Sequence, residues 1–197
     1  MAMRLLCCGL LLLFLTPGVG SAQGTWTWVW GGLNSTTVNS SGLGNFAPGN
    51  SPGQTYAASV WTDPNGKLWR YGGEGSAALW QYDPAINQWA LMQGDPGGVP
   101  GPVYGTQGVP GPNVTPGNGE FGNPAWAGHD STLWLYSLGF TDDLWRYDII
   151  TGMWTWMKGS GGGSNTVLGT QGVPAPNNSP GMVNETDARW VDSNGNF

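Results

Sequence analysis

Few side chains in this sequence have the chemistry of a catalytic group. His129 is the only histidine, and Asp130 directly after it is placed to orient an imidazole that acts as a general base. A base of this kind also needs a positioned substrate and a partner, and no second histidine accompanies it. His129 also falls in a predicted turn, where a polar side chain faces solvent. The sequence therefore predicts no catalytic residue.

The acidic residues offer little for metal binding. Asp142 and Asp143 form the only adjacent acidic pair, and they precede Leu144-Trp145, which places them in a predicted hairpin turn. Calcium takes six to eight oxygen ligands, and the other ligands cannot be named. The DPNG segment (63–66) and the DSNG segment (192–195) lack the alternating acidic spacing of a calcium loop. We therefore expect turns here, with no metal and no cofactor.

The aromatic residues are the most informative feature, because their spacing repeats. Trp61, Trp126 and Trp190 lie 65 and 64 residues apart, and the GTQGVP hexapeptide occurs at 105–110 and at 169–174. Three further tryptophan pairs are each separated by 65 residues: Trp69 and Trp134, Trp80 and Trp145, and Trp89 and Trp154. Tryptophan faces also bind sugars, but recurrence with a repeat is what packing between repeated units requires. We therefore predict that these rings pack between units.

Each repeat contains the pattern of four short strands. The first segment, YAASVW (56–61), is apolar, and TDPNG after it indicates a tight turn. The third, 78–82, ends at Asp83-Pro84, because proline cannot donate a hydrogen bond to a strand. Segments 67–71 and 88–92 complete the set, and no stretch after residue 24 has a helical period of useful length. Four strands joined by turns are typical of a propeller blade. The sequence predicts an all-β fold of four-stranded antiparallel blades.

Gly72-Gly73, Tyr82 and Trp89 occur in this order in the first unit. Tyr147 and Trp154 recur in the second, where Ser137-Leu138-Gly139 replaces the double glycine. In these residues the chain resembles the kelch repeat family. Kelch repeats form blades of β-propellers related to the central domain of galactose oxidase, so the resemblance implies this architecture for residues 25–197. It covers a fourth strand at 25–30, blades at 56–93 and 122–158, and a partial blade at 186–197.

The number of repeats in the chain indicates an incomplete ring. About two and a half blades are present, whereas propellers have about four to eight. We expect that the chain is a truncated part of a longer propeller, or that open blade edges allow several copies to self-associate.

The first 22 residues have the pattern of a signal peptide. Arg4 precedes an apolar run, Leu5 to Leu15, that is too short to span a membrane, and Gly20-Ser21-Ala22 provides a small-residue cleavage site. Both cysteines, Cys7 and Cys8, lie inside this segment. The sequence thus predicts a secreted or cell-surface protein whose mature chain has no disulfide.

Composition excludes other classes of function. The chain has 6 Lys and Arg against 12 Asp and Glu, so it offers no basic surface for a nucleic acid. We expect a non-catalytic scaffold that binds a protein or a carbohydrate through the Gly/Pro-rich loops 94–123 and 159–184. An oxidase of the galactose oxidase type is the alternative, although the mature chain, with one histidine and no cysteine, cannot assemble a copper site with imidazole ligands. A structural surface or matrix protein is a second alternative.

Several asparagines begin N-x-Ser/Thr sequons, which are glycan acceptors in secreted proteins. Asn177 also begins one, but Pro180 follows its serine. We expect glycosylation at one or more of the remaining four: Asn34, Asn39, Asn113 and Asn184.

Overall fold

The computed structural model describes residues 27–32, 37–73, 75–98, 100–119, 122–136, 140–163, 165–183 and 189–192. Within them the fold is all-β and contains two four-stranded antiparallel sheets. Blade 1 consists of β1 (Ser59–Thr62), β2 (Leu68–Tyr71), β3 (Leu79–Asp83) and β4 (Gln88–Gln93). Blade 2 consists of β5 (Ala125–Ala127), β6 (Thr132–Tyr136), β7 (Leu144–Asp148) and β8 (Met153–Lys158). The predicted fold class is confirmed.

The repeat in the sequence is a repeat in the strand register. Tyr82 pairs with Trp89 between β3 and β4, and Tyr147 pairs with Trp154 between β7 and β8. A bulge falls at the start of β3 and of β7, between Leu79 and Trp80 and between Leu144 and Trp145. The turns follow the sequence as well, since the carboxylate of Asp63 accepts hydrogen bonds from the backbone of Asn65 and Lys67. The two blades are therefore the same structure built twice.

The main hydrophobic core lies between the blades. Blade 1 contributes its forward face, which carries Trp61, Trp69, Tyr71 and Leu79, and blade 2 contributes its rear face, which carries Leu133, Leu135, Trp145, Tyr147 and Trp154. The ring centroids of Trp69 and Tyr147 are 5.9 Å apart, and those of Tyr71 and Trp154 are 5.2 Å apart. At the inner edge, the Trp61 indole donates a 2.9 Å hydrogen bond to the Trp134 carbonyl oxygen. Sheet-on-sheet packing therefore explains why these aromatic positions recur.

The long connections contain a second repeated element, which the sequence did not predict. Each folds back on itself at equivalent pairs: Asn39 with Ser51, Val103 with Thr115, and Val167 with Ser179. In the third, the paired residues form two short strands, β9 (Thr166–Val167) and β10 (Ser179–Pro180). We call residues 39–51, 103–115 and 166–180 the first, second and third linker hairpins.

The first two linker hairpins lie along the outer strands of the blades that follow them. Gly44 and Ala47 donate backbone hydrogen bonds to the carbonyls of Leu91 and Trp89 in β4. Gly108 and Gly111 donate the equivalent bonds to Trp156 and Trp154 in β8. The edge strand of each blade is therefore covered by backbone of its own chain, which satisfies polar groups that would otherwise be free to pair with another protein.

The ends of the described chain lie outside the strands. Residues 27–30 of the expected fourth strand form none, but the Trp30 ring contacts Trp89 at 6.0 Å, and the Asn87 amide donates to the Val29 carbonyl. Residues 189–192 of the expected partial blade also form no strand. Residues 25 and 26, and most of 186–197, fall outside the described residues, as does the expected signal peptide at 1–22. The described residues contain no helix that is long and apolar enough to cross a bilayer.

Candidate binding surfaces

The residues behind the kelch resemblance have structural roles. Gly72 and Gly73 end β2 with φ of 65° and 97°, in the left-handed region that favours glycine. A Cβ on Gly73 would lie 2.1 Å from the Thr55 hydroxyl oxygen, so no larger residue fits there without rearrangement. The Tyr82 and Trp89 rings contact each other at 5.1 Å, and Tyr147 and Trp154 do so at the same distance. Residues 137–139, which replace the double glycine in blade 2, are outside the described residues.

Equivalent tryptophans differ in exposure because the two faces of a blade have different neighbours. Trp145 and Trp154 on the rear face of blade 2 are buried by blade 1 and by the second linker hairpin. Trp126 and Trp134 lie on the forward face of blade 2 and are only half-buried. Their rings are stacked at 6.4 Å with an angle of 8°, and the Arg146 guanidinium lies 5.9 Å from the Trp134 centroid. Blade 2 thus presents an aromatic and cationic surface on the side away from blade 1.

A groove borders this forward face. It has a volume of about 740 Å³ and lies between blade 2, the third linker hairpin and residues 189–190. Its lining combines aromatic rings with polar groups, including Trp126, Tyr136, Lys158, Asn178 and Trp190. The Trp190 side chain is 77% exposed. A concave surface of this size, with aromatic walls and a few polar groups, matches the general character of ligand sites.

The third linker hairpin is fixed to blade 2 at the edge of the groove. The Tyr136 hydroxyl donates a hydrogen bond to the Gly181 carbonyl oxygen, just as Tyr71 of blade 1 donates to Gly117 over 2.7 Å. The Lys158 ammonium donates to the Asn178 carbonyl oxygen over 2.6 Å. This wall of the groove is therefore held in place by two side chains of blade 2.

Asp142 and Asp143 lie in the β6–β7 connection, as predicted, but they are buried and not part of an exposed turn. The Asp143 carboxylate is fully buried and accepts hydrogen bonds from the Tyr104 hydroxyl, the Trp156 indole and the backbone of Gly161 and Gly162. The Asp143 carboxylate is therefore stabilised by hydrogen-bond donors from elements far apart in the sequence.

The Asp142 carboxylate is likewise occupied. It accepts hydrogen bonds from the Ser160 backbone and hydroxyl and from the Ser179 hydroxyl. Burial acts to raise the Asp142 pKa, but the hydrogen bonds from Ser160 and Ser179 outweigh it, so that the pKa lies below its usual value. Within the described residues, no group of three or more His, Cys, Asp or Glu side chains is arranged to hold a metal ion.

The other candidate residues also have structural settings. His129 is exposed in the turn between β5 and β6, as predicted. Asp83 and Asp148, each of which follows the tyrosine at the end of a repeated strand, accept hydrogen bonds from the backbone of the next turn, as aspartates in turns commonly do. Asp83 also forms an ion pair with Lys67, which ties the turn after β3 to the start of β2.

One match to a catalytic pattern escaped the sequence reading. Residues 49–53 read GNSPG, which fits the G-x-S-x-G pattern of a serine nucleophile. However, Ser51 is buried in the first linker hairpin, its backbone pairs with Asn39, and its hydroxyl accepts a hydrogen bond from the Gly53 amide. It does not lie on a strand-to-helix turn, so the match is one of sequence alone.

Two of the four sequons expected to carry glycans lie in described hairpins. Asn113 is exposed at the tip of the second linker hairpin, although Pro116 follows its threonine, as Pro180 follows Ser179 of the discounted sequon. Asn39 is exposed, and its amide nitrogen donates a 2.8 Å hydrogen bond to the Gly49 carbonyl. Asn34 and Asn184 lie outside the described residues.

The comparisons with known proteins add no name to this geometry. No family model matches the chain, and no curated protein matches it. The kelch resemblance therefore depends on the residues and the repeated blades described above.

Proposed function

We propose that the chain is a secreted kelch-type propeller protein, and that it works as a non-catalytic scaffold that binds a protein or a carbohydrate. The observation that carries this proposal is the groove on the forward face of blade 2. It brings the half-buried Trp126 and the exposed Trp190 next to Lys158 and Asn178, on a surface held in place by the Tyr136 tether. Large aromatic side chains next to polar groups are typical of recognition surfaces.

We propose no catalytic function because the polar side chains that could act as acids already have structural hydrogen bonds. The buried carboxylates of Asp142 and Asp143 are already hydrogen-bonded, and a satisfied acid of this kind stabilises the fold. The single imidazole, at His129, is in an exposed turn and does not line the groove. The described walls of the groove therefore offer contact surface and hydrogen-bond donors, and they contain no paired acid and base.

A binding screen with matched tryptophan variants tests the proposal. The full chain, produced through a secretory pathway, is screened against immobilised oligosaccharides and extracellular proteins, and each hit is measured by titration calorimetry. Trp190→Ala is expected to weaken a genuine interaction at least tenfold. Trp28→Ala is the control, because Trp28 is also exposed and does not line this groove.

Two results would overturn this function. Equal loss of binding in the two tryptophan variants would mean that the groove is not the binding surface. Copper-dependent oxidation of an alcohol or sugar by the purified chain would show that the protein is an enzyme.

A further inference from the structure

A second cavity lies at the inner edge of the blades. Its volume is about 530 Å³, and it is bounded by β1 and β2 of blade 1, by β5 of blade 2 and by residues 189–191. The walls are mostly apolar and aromatic, and include Val60, Leu68, Trp69, Trp89, Trp126 and Trp190. The cavity falls within the size range of small-molecule sites.

The charge of this cavity is opposite to that of the protein. The whole chain has a formal net charge of -6. Among the described residues, the ionisable groups that line the cavity are Arg70 and Arg189, and no Asp or Glu is among them. The guanidinium of Arg70 therefore lies at an apolar surface of an acidic protein, a combination that favours an anionic ligand with an apolar body.

Arg70 is the more informative of the two arginines. Its Nη1 donates a 3.0 Å hydrogen bond to the Gly53 carbonyl oxygen, and its Nε, like that of Arg146, is buried without a hydrogen-bond partner within the described part of the chain, which leaves the Nη2 end of the guanidinium for a ligand. Burial lowers the pKa of Arg70, because desolvation disfavours its charged form. The described residues give it no ion pair: the one carboxylate–cation contact they contain joins Lys67 and Asp83.

The equivalent residue in blade 2 shows which side chain can occupy the position of Arg70. Arg70 in β2 is equivalent to Leu135 in β6, which is fully buried in the core between the blades. A leucine therefore fits the strand and the register at this point of a blade, where Leu135 is covered by blade 1 and Arg70 lines the cavity. An arginine here loses hydration without a carboxylate among the described residues to compensate, and a guanidinium is the group best matched to a planar carboxylate.

We propose that this cavity binds an anionic carbohydrate unit, a pyranose ring that carries a carboxylate, with Arg70 as the carboxylate-binding residue. The ring stacks through its apolar C–H face on the tryptophan walls, and its carboxylate accepts hydrogen bonds from the guanidinium. A sugar fits better than an acidic peptide because flat indole faces, Trp126 and Trp190 among them, match a ring more closely than a flexible side chain. This inference goes beyond the proposed function, because the cavity is a second site that shares only Trp126, Arg189 and Trp190 with the groove.

Titration calorimetry with a matched pair of oligosaccharides tests the proposal. The probes are digalacturonate and the same disaccharide with its carboxylates reduced to alcohols. We expect the full chain to bind the acidic form at least tenfold more tightly, and this preference to decrease as salt is added. Arg70→Leu is expected to abolish the preference and to fold normally, because leucine occupies the equivalent position in blade 2.

Arg146→Leu is the matched control, since Arg146 is a half-buried arginine of blade 2 that does not line this cavity. It should keep the preference for the acidic disaccharide. Equal binding of the two disaccharides would refute the charged site but leave a carbohydrate-binding scaffold intact. Binding of an acidic peptide in place of either sugar would refute the ligand class. Loss of the preference for the acidic disaccharide in both arginine variants would show that the binding site is not in this cavity.

A sulfated disaccharide of the same length separates two sources of negative charge. We expect weaker binding of the sulfate ester than of the carboxylate, because a carboxylate is the planar partner of the guanidinium fork. Equal or tighter binding of the sulfated form would contradict the assignment of a carboxylate.

Discussion

The hydroxyl of Tyr71 donates a 2.7 Å hydrogen bond to the carbonyl oxygen of Gly117, 46 residues further along the chain. Tyr71 lies at the end of β2 in blade 1, and Gly117 lies just beyond the second linker hairpin, which covers blade 2. Both residues are buried. One phenol thus ties the forward face of one blade to the connection that belongs to the next.

Tyr71→Phe removes this hydrogen bond while keeping the ring that packs on Trp154. A buried acceptor left without a donor costs about 1–3 kcal/mol, so we expect a loss of that size in the free energy of unfolding. Urea denaturation followed by tryptophan fluorescence measures it. Tyr56→Phe is the control, because the Tyr56 side chain is 58% exposed. A Tyr71→Phe variant as stable as the control would mean that the tether contributes nothing.

Trp154→Ala should be more damaging than the same change at the equivalent position in blade 1. Trp154 is fully buried between Tyr71 and Tyr147, and truncating a large buried aromatic typically costs about 3–5 kcal/mol. Trp89 has the same register but is half-buried, so Trp89→Ala should cost clearly less. Thermal unfolding of both variants, with Trp28→Ala as an exposed reference, gives the order. Equal losses at 154 and 89 would contradict the location of the main core.

Asp142 gives a prediction for stability in acid. Its pKa is lowered in the folded state, so its carboxylate stabilises the fold above the unfolded pKa of about 3.9, and this contribution is lost as the pH falls through the lower folded value. Asp142→Asn cannot titrate, and its stability should fall less steeply between about pH 4 and pH 2. Urea denaturation at several pH values measures the slope.

Ser179→Ala supplies the matching control for that experiment. It removes one of the donors that lower the Asp142 pKa, so its acid dependence should lie between those of the wild type and Asp142→Asn. If all three proteins have the same slope below pH 4, another carboxylate controls acid unfolding.

Tyr147 gives the corresponding prediction in alkali. Burial, together with the nearby Asp148 carboxylate, raises the pKa of Tyr147 to about 12. Since the folded protein favours the neutral phenol, the contribution is complete below about pH 10 and is lost as the pH rises towards 12. We expect tyrosinate absorbance to increase together with unfolding in this range. Tyr147→Phe should make the alkaline loss of stability shallower, and an unchanged slope would contradict the prediction.

Local patterns in the sequence were sufficient to predict the blades. The apolar runs and the Asp63–Gly66 turn gave strands close to those observed, and the spacing of Tyr82 and Trp89 gave a contact that recurs at Tyr147 and Trp154. These features depend only on residues within about ten positions of one another, so local sequence patterns are enough to predict them. The packing of Trp69 against Tyr147 also followed, because a repeat implies stacked units.

The linker hairpins and the buried acids could not be predicted in the same way. The hairpins are closed by pairs such as Val103 and Thr115 within Gly/Pro-rich segments, where strand propensity is low and the stabilising contact is a distant edge strand. Asp143 looked like a turn residue because its donors, Tyr104 and Gly161 among them, come from other parts of the chain. Both features are tertiary, and no pattern of neighbouring residues encodes them.

The linker hairpins also show that the segment duplicated in the sequence is not a self-contained structural unit. Each copy of the duplicated segment contains one linker hairpin and one sheet. The second linker hairpin donates hydrogen bonds to β8 of the sheet that follows it, and Gly117 just beyond it accepts a hydrogen bond from Tyr71 of the preceding sheet. A cut made at the boundary of the duplicated segment would therefore pass through an interlocked region. An exchange of repeats between such chains would keep its stability only if each linker hairpin were exchanged together with the tyrosine of the preceding sheet that bonds next to it.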